Sequence, residues 1–407
     1  MCATLSRMTG VFMRIQRMLA AAVFPACAVL ILIIAGCGRP EYKATAAVPE
    51  AGAKLQHTAV LFTQSRSYPV GIYEPQAEFL SVYPGSYEAP QGRSQLSAWI
   101  EAEIRKLVTE KQVQAVIIAP ALTGTASAVE AIRLDHPGLI IAAVEPENDL
   151  YEIEALCDVV LASDYRKLAY GAVVTAKRLG FSRILAPDYS KASKNSLSSL
   201  YGRFLERSAA LEGLTLETVK FQNIDYKTES AMVLYPETTV FTGLQLSETA
   251  ASLLYVPAFP MSYRPCLDLL AKKYGEADAS YFPASAGRLL GLVNKAFIDS
   301  NASIKFILPG YPHELALLEA ALVQLKTVLK SGNYKSSNIS RYVNAKSVLN
   351  ALREIDSTMG WEASNFTDPS TGIRSMRTII VSQDFYQVGK GFVAISKQRI
   401  PASLLEP

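Results

Sequence analysis

The feature that most constrains this chain is a repeated alternation of short, almost wholly apolar runs with longer stretches of helical period. Residues 58–62 precede a helical pattern over 96–110, and 113–119 precede 126–134. Residues 139–144 follow, and 159–162 precede 166–179. Runs such as Val116-Ile117-Ile118 and Leu139-Ile140-Ile141 have no polar alternate positions, so both faces of each strand must be covered. Strands alternating with helices of this length build βαβ units and a parallel sheet. The alternation then restarts, with strands at 184–185, 216–221 and 239–242 and helices at 195–212 and 247–255. It continues through a helix at 287–298, a strand at 306–308 and a helix at 313–329. Residues 375–382 and 391–396 read as a closing antiparallel pair. The expected fold class is therefore α/β, with two doubly wound parallel-sheet lobes joined by crossings.

Ahead of this body, Arg7, Arg14 and Arg17 precede an apolar stretch over 18–34, and no acidic residue occurs before Glu41. That is the layout of a secretory signal peptide. The stretch is shorter than the ~20 apolar residues that a membrane-spanning helix needs. It ends in Ile34-Ala35-Gly36-Cys37, which resembles the lipobox of bacterial lipoproteins. The resemblance implies cleavage before Cys37, diacylglycerol on its thiol, and a lipid-anchored, extracytoplasmic location. Residues 38–54 are rich in Ala, Pro, Gly and Glu without apolar period and read as a tether. The expected organisation is a signal peptide over 1–36 and a lipidated cysteine with tether over 37–56. One lobe takes 57–163 plus about 310–345, the other takes 164–309, and 346–407 form a C-terminal extension packing on the lobes.

Cleavage would leave 371 residues, enough for two cores, and would remove three arginines, taking a formal charge of +3 to about zero. A near-neutral chain is a poor partner for nucleic acid, and none is expected. Besides Cys37, only Cys157 and Cys266 lie beyond the leader, so the fold is not a disulfide scaffold. His57, His136 and His313 lie far apart with no metal-ligand spacing around them, and neither a metal nor another cofactor is expected.

Several local patterns resemble the type I periplasmic binding protein superfamily. Ser163-Asp164-Tyr165 with Gly171, Ala176 and Leu179-Gly180 is similar to its strand-Asp-helix-Leu-Gly pattern after the first lobe crossing. Tyr201-Gly202-Arg203-Phe204 with Leu211-Glu212-Gly213 resembles a characteristic helix and its closing glycine. Residues 306–312, leading into the helix at 313–329, resemble the return crossing. Lys273-Tyr274-Gly275, Pro309-Gly310-Tyr311-Pro312 and Gly124-Thr125-Ala126 look most like a family of bacterial lipoproteins of this fold with no assigned ligand. The resemblance implies a receptor that takes a small molecule between its lobes. It does not imply a sugar, because Thr242-Gly243-Leu244 stands where sugar-binding relatives carry Asn-Asp.

In doubly wound sheets ligands lie beyond the carboxyl ends of the strands, which directs attention to the following loops. The candidate ligand residues are Gln64, Ser65, Arg66, Thr123, Gly124, Thr125, Glu145 and Asp164 in the first lobe. Asp188, Thr242 and Ser285 are candidates in the second, with Tyr311 at the return. Amides over 124–126, at a helix start, could hold an anion; equally, Thr123 and Thr125 could cap that helix. Arg66 could grip a carboxylate in bidentate fashion. Asp164 matches a position where many relatives carry an acid, and it also suits a helix N-cap. Tyr68, Tyr73 and Tyr83 could stack on a planar ligand or serve packing.

No Gly-x-Ser-x-Gly elbow, phosphate-binding P-loop or His-Glu-x-x-His motif occurs, and no catalytic residue is nominated. The rival enzyme class is a racemase using Cys157 and Cys266 from opposite lobes. The expected partners are a small molecule, the membrane through Cys37, and either an ABC-type permease or a signalling protein that senses the occupied receptor. Replacing Cys37 by serine should abolish incorporation of labelled fatty acid and leave the precursor uncut. Equal labelling of both forms would refute the anchor.

Overall fold

A computed structural model describes residues 57–63, 79–82, 93–147, 150–220, 223–224, 230–235, 254–257, 305–309, 313–332, 336–357, 359–387, 391–393 and 395–405. The expected signal peptide, Cys37 and the expected tether lie outside the described residues, as do the strand expected at 239–242 and the helix expected at 287–298.

The first sheet is built on β1 (Thr58–Phe62), β3 (Ala115–Ala119), β4 (Ile140–Val144) and β5 (Val159–Ser163), all parallel neighbours in the order β1-β3-β4-β5. Every residue of these four strands is buried. Alternate side chains enter two separate cores. Leu61, Val116, Ile118, Ile141 and Val160 pack under α1 (Arg93–Lys111), α2 (Thr125–Asp135) and α3 (Leu150–Leu156). Phe62, Ile117, Ile140, Val144 and Leu161 face α6 (His313–Ser331) and α7 (Ala345–Ile355). Burying one such side chain contributes about 1.5–3 kcal/mol, so the unbroken β-branched runs stabilise the sheet only when helices cover both faces. β2 (Leu80–Val82) adds in parallel beyond β1.

The second sheet repeats this order. β6 (Arg183–Ala186), β7 (Thr215–Thr218), β8 (Met232–Tyr235), β9 (Leu254–Pro257) and β10 (Lys305–Pro309) align as β7-β6-β8-β9-β10, just as the first sheet reads β2-β1-β3-β4-β5. Its helices include α4 (Tyr165–Arg178) and α5 (Leu197–Glu212), which pack on each other. The chain passes from the first sheet into the second after β5. It returns after β10, because α6 packs on β3, β4 and β5. This is the two-lobed parallel-sheet architecture expected from the sequence.

The C-terminal strands differ from expectation. β12 (Arg374–Gln383) and β14 (Gly391–Val393) do not pair with each other. β12 lies between parallel β5 and antiparallel β11 (Trp361–Thr367) in the first sheet. β14 pairs with β13 (Phe385–Gln387), which extends the second sheet from β10. Asp384, between β12 and β13, is thus a further passage from one sheet to the other. The physical reason lies in the alternation of β12, whose Ile379 and Val381 face one core while Ile380 faces the other, which requires an interior position. Tyr255, expected near the end of a helix, lies in β9.

Two recognised glycine positions have steric causes. A Cβ on Gly171 would come within 2.6 Å of the Ile395 side chain, and one on Gly202 would sit 2.4 Å from Cβ of Tyr189. Tyr189 also stacks edge-on against Tyr201 at 5.2 Å. Helix propensity alone favours Gly202→Ala, yet the clash should make this variant less stable by about 1–3 kcal/mol. Chemical denaturation that finds the variant equal to or more stable than the parent would contradict this packing.

Candidate functional site

The carboxyl edge of the first sheet is closed by backbone bonds that carry its ladder past the strand ends. Thr63 N donates to Ala119 O at 3.2 Å, Ala121 N to Val144 O at 2.8 Å, Glu145 N to Leu161 O at 2.9 Å and Asp164 N to Val381 O at 2.7 Å. Each residue following a strand is thereby fixed in place. The strand order reverses between β1 and β3, which makes the crevice above Thr63 and residues 120–125 the topological switch point. Thr63 is buried, and its Oγ1 donates to Pro120 O at 2.6 Å, beside a cis Ala119-Pro120 bond.

Gly124, at φ 107°, occupies the N-cap position of α2 with no side-chain cap, so neither threonine caps the helix. Thr123 turns the other way, and its N and Oγ1 both donate to Glu147 Oε2, at 3.1 and 3.2 Å. Thr125 N donates to Leu122 O, which removes one amide from the anion cradle suggested by the sequence. Thr125 Oγ1 is fully buried and makes no protein hydrogen bond. A buried hydroxyl without a partner costs about 1–3 kcal/mol.

Glu145 is the most perturbed group on this edge. It has a left-handed backbone, φ 45°, an arrangement that costs an L-residue about 1–2 kcal/mol. The turn directs its half-buried carboxyl to Ser163, whose Oγ donates to Oε1. Burial pushes the carboxyl up to about 7, while hydrogen bonds from the Ser163 side chain and backbone act in the opposite direction. Near neutral pH the group therefore exchanges between an acid that donates and a carboxylate that only accepts.

Asp164 is buried and N-caps α4, its Oδ1 accepting from Arg166 N at 3.1 Å and Lys167 N at 3.3 Å. Arg166 Nε is 3.6 Å from the same oxygen. At the end of β6, Asp188 is held by Ser190, whose N and Oγ donate to Oδ1 at 3.1 and 2.5 Å and, with Lys191, keep its carboxyl below the usual range. Thr123, Gly124, Thr125, Glu145 and Asp164 thus share one sheet edge, whereas Asp188 belongs to the second sheet. Gln64, Ser65, Arg66, Thr242, Ser285 and Tyr311 lie outside the described residues.

Sequence reasoning did not nominate Thr63 or Glu147 as site residues. Their position after strands was a visible signal; their side-chain partners were not. It also missed an ionic tie beside the crossings, where Lys167 of α4 pairs with Glu362 of β11 and donates to Ser396 O. Ser396 in turn donates from N and Oγ to Asp384 Oδ1, at 3.0 and 2.7 Å. Cys157 is fully buried, and burial pushes its thiol up to about 12, unsuited to the thiolate chemistry that a racemase requires. Cys266 lies outside the described residues. Among the described residues, no group of three or more His, Cys, Asp or Glu side chains is placed to hold a metal, and no helix is long and apolar enough to cross a membrane.

Comparison with known proteins places the fold. The architecture matches a protein described as a transcriptional regulator from Clostridium difficile 630 at a TM-score of 0.56. The two are 13% identical, and the match covers 82% of this chain and 100% of that one. Two further matches are solute-binding proteins of ABC transporters. One, from R. palustris, is in complex with 4-hydroxybenzoate: TM-score 0.45, 11% identity, 82% and 94% coverage. The other, from Desulfitobacterium hafniense, is in complex with Leu: TM-score 0.42, 11% identity, 83% and 98% coverage. A family model described as "Protein of unknown function (DUF3798)" matches residues 87–231, and another family model matches 320–406. No curated protein matches the sequence. The chain has the periplasmic-binding-protein-like fold, with two parallel-sheet lobes.

The raised Glu145 carboxyl has a consequence for stability. Its folded-state value lies above the ordinary 4.5, so the folded state holds the proton more tightly. That contribution is complete below about pH 4.5 and is lost as pH rises through about 7. Relative to Glu145→Gln, the parent should lose about 2–3 kcal/mol between pH 4.5 and 7.5. Urea denaturation curves whose difference stays constant over that interval would contradict the assignment.

Proposed function

We propose that this protein is an extracytoplasmic receptor, anchored by lipid on Cys37, that captures a small molecule between its lobes and hands it to an ABC-type permease. The observation that carries the reading is the shared strand order of the two sheets. It sets a topological switch point in each lobe, and in the first lobe hydroxyls and acids line the sheet edge that contains it. Thr63, Thr123, Thr125, Glu145, Glu147 and Ser163 form an edge suited to a ligand that donates hydrogen bonds, such as a polyol or an amine. Gln64, Ser65, Arg66, Thr242, Ser285 and Tyr311 complete the site from the remaining loops, with Asp188 on the second lobe. Ligand contacts with both lobes favour the closed state, which the membrane partner recognises.

The protein acts by binding rather than by turnover. The buried, high-pKa thiol of Cys157 speaks against the racemase reading. A signalling partner in place of a permease would use the same closed state.

A metabolite panel rich in polyols and amines should contain a compound that raises the melting temperature progressively with concentration. Saturation at about 100 times Kd corresponds to about 2.7 kcal/mol of added stability. Glu145→Gln should weaken that compound's binding at least several-fold. Chemical turnover of a panel member, without any concentration-dependent stabilisation, would overturn the receptor reading.

A further inference from the structure

The opposite end of the first lobe carries a separate surface. β12 begins at Arg374, but its parallel pairing with β5 starts only at Thr378 opposite Val160. The hairpin formed with β11 therefore projects past the amino edge of the sheet. Ile373 is 69% exposed and Met376 62%, while Leu134, at the end of α2 entering the same edge, is 82% exposed. Polar contacts hold this apolar tip in place. Arg377 Nη1 donates to the carbonyls of Glu154, Ala155 and Cys157 at 3.4–3.5 Å. Arg133 donates to Leu156 O and pairs with Asp158 at 2.7 Å, bracing the same turn from the α2 side. Asp368 fixes the hairpin turn by accepting from Ser370 N and Oγ, both at 2.7 Å, and from Thr371 Oγ1 at 2.9 Å. Arg374, exposed and lying between Ile373 and Met376 in sequence, donates to Asn365 Oδ1 at 2.6 Å.

The chain enters the folded body at this same edge. Thr58, the first residue of β1, pairs with Ala115, the first of β3, which in turn pairs with Ile140, the first of β4. Twenty residues separate Cys37 from Thr58. A chain of that length reaches at most about 70 Å when fully extended. With a lipid on Cys37, the amino edge of the first sheet would lie within the tether's reach of the bilayer.

We propose that the hairpin tip is a membrane-docking surface, with Ile373 and Met376 entering the headgroup region of a lipid bilayer and Arg374 meeting lipid phosphate. Apolar side chains flanking a cation suit that interface, where an apolar layer lies beneath anionic groups. Docking there turns the site-bearing carboxyl edge of the first sheet away from the bilayer. The inference rests on the reading of Cys37 as the anchored residue.

The test uses the full-length, lipid-modified protein reconstituted into vesicles of phosphatidylethanolamine and phosphatidylglycerol, three to one, with and without bromine on the acyl chains. Flotation with the vesicles is scored first. Tryptophan emission is then compared for the parent, Ile373→Trp and Leu405→Trp, the last being an exposed site on the second-lobe side, beside α5. The added emission of Ile373→Trp should fall to roughly half in brominated vesicles, as for a side chain at headgroup depth, while parent and Leu405→Trp stay unchanged. A parent that fails to float removes the anchor and the docking with it. Flotation with no quenching at position 373 leaves the anchor standing and overturns the docking surface. Cross-linking of position 373 between copies, without quenching, assigns the tip to self-association instead and also overturns the proposal.

Discussion

Burial of every residue in β1, β3, β4 and β5 is the constraint from which the rest of this structure follows. A strand with apolar side chains on both faces cannot border water, so helices must cover both sides, and the connections between parallel strands supply them. Within such a sheet almost no side chain is left for chemistry, Ser163 at the very end of β5 being the exception. Polar function moves to the residues that follow each strand, where the chain leaves the core but the backbone ladder still fixes its path. The rigidity of Glu145, Ser163 and Asp164 is thus inherited from the core beneath them, and the second sheet repeats the strand order.

The large features of this fold were legible because they depend on local pattern. Uniform apolar runs identify buried strands, and the restart of the alternation after residue 180 identifies the second lobe. Gly171 and Gly202 were visible as part of a motif, but their reasons, contact with Ile395 and Tyr189, are tertiary. The C-terminal region was misread for a physical cause. Residues 375–382 and 391–396 both read as strands next to each other in sequence, and adjacency favours a hairpin. The apolar alternation of β12 suits the middle of a sheet, and β11, with polar Ser364 and Asn365, was not recognised as its antiparallel neighbour.

The site was legible in position and illegible in chemical state. Searching after strand ends led to Thr123, Thr125, Glu145 and Asp164, which share one edge. Nothing in the sequence marks Glu145 as a carboxyl whose burial raises its affinity for a proton. The left-handed turn at Glu145 aims this half-buried carboxyl at Ser163. Such strain at a strand end is retained where the surroundings over-determine it, here by the ladder bond from Glu145 N to Leu161 O.

Around the passages between sheets, Lys167, Glu362, Ser396 and Asp384 join α4, β11, the C-terminal segment and the β12–β13 junction. In the proposed receptor, rotation of the lobes would turn about these ties and ligand contacts would bias it. The most direct test of that central claim is the distance between spin labels at Leu134 in the first lobe and Leu211 in the second, both exposed. It is measured by pulsed electron resonance on protein stripped of ligand and on protein saturated with a compound that stabilises it. The account predicts that the distance distribution shifts to a second, distinct value on saturation. A distribution that is identical in both samples, while binding is verified in the same preparation, would contradict it.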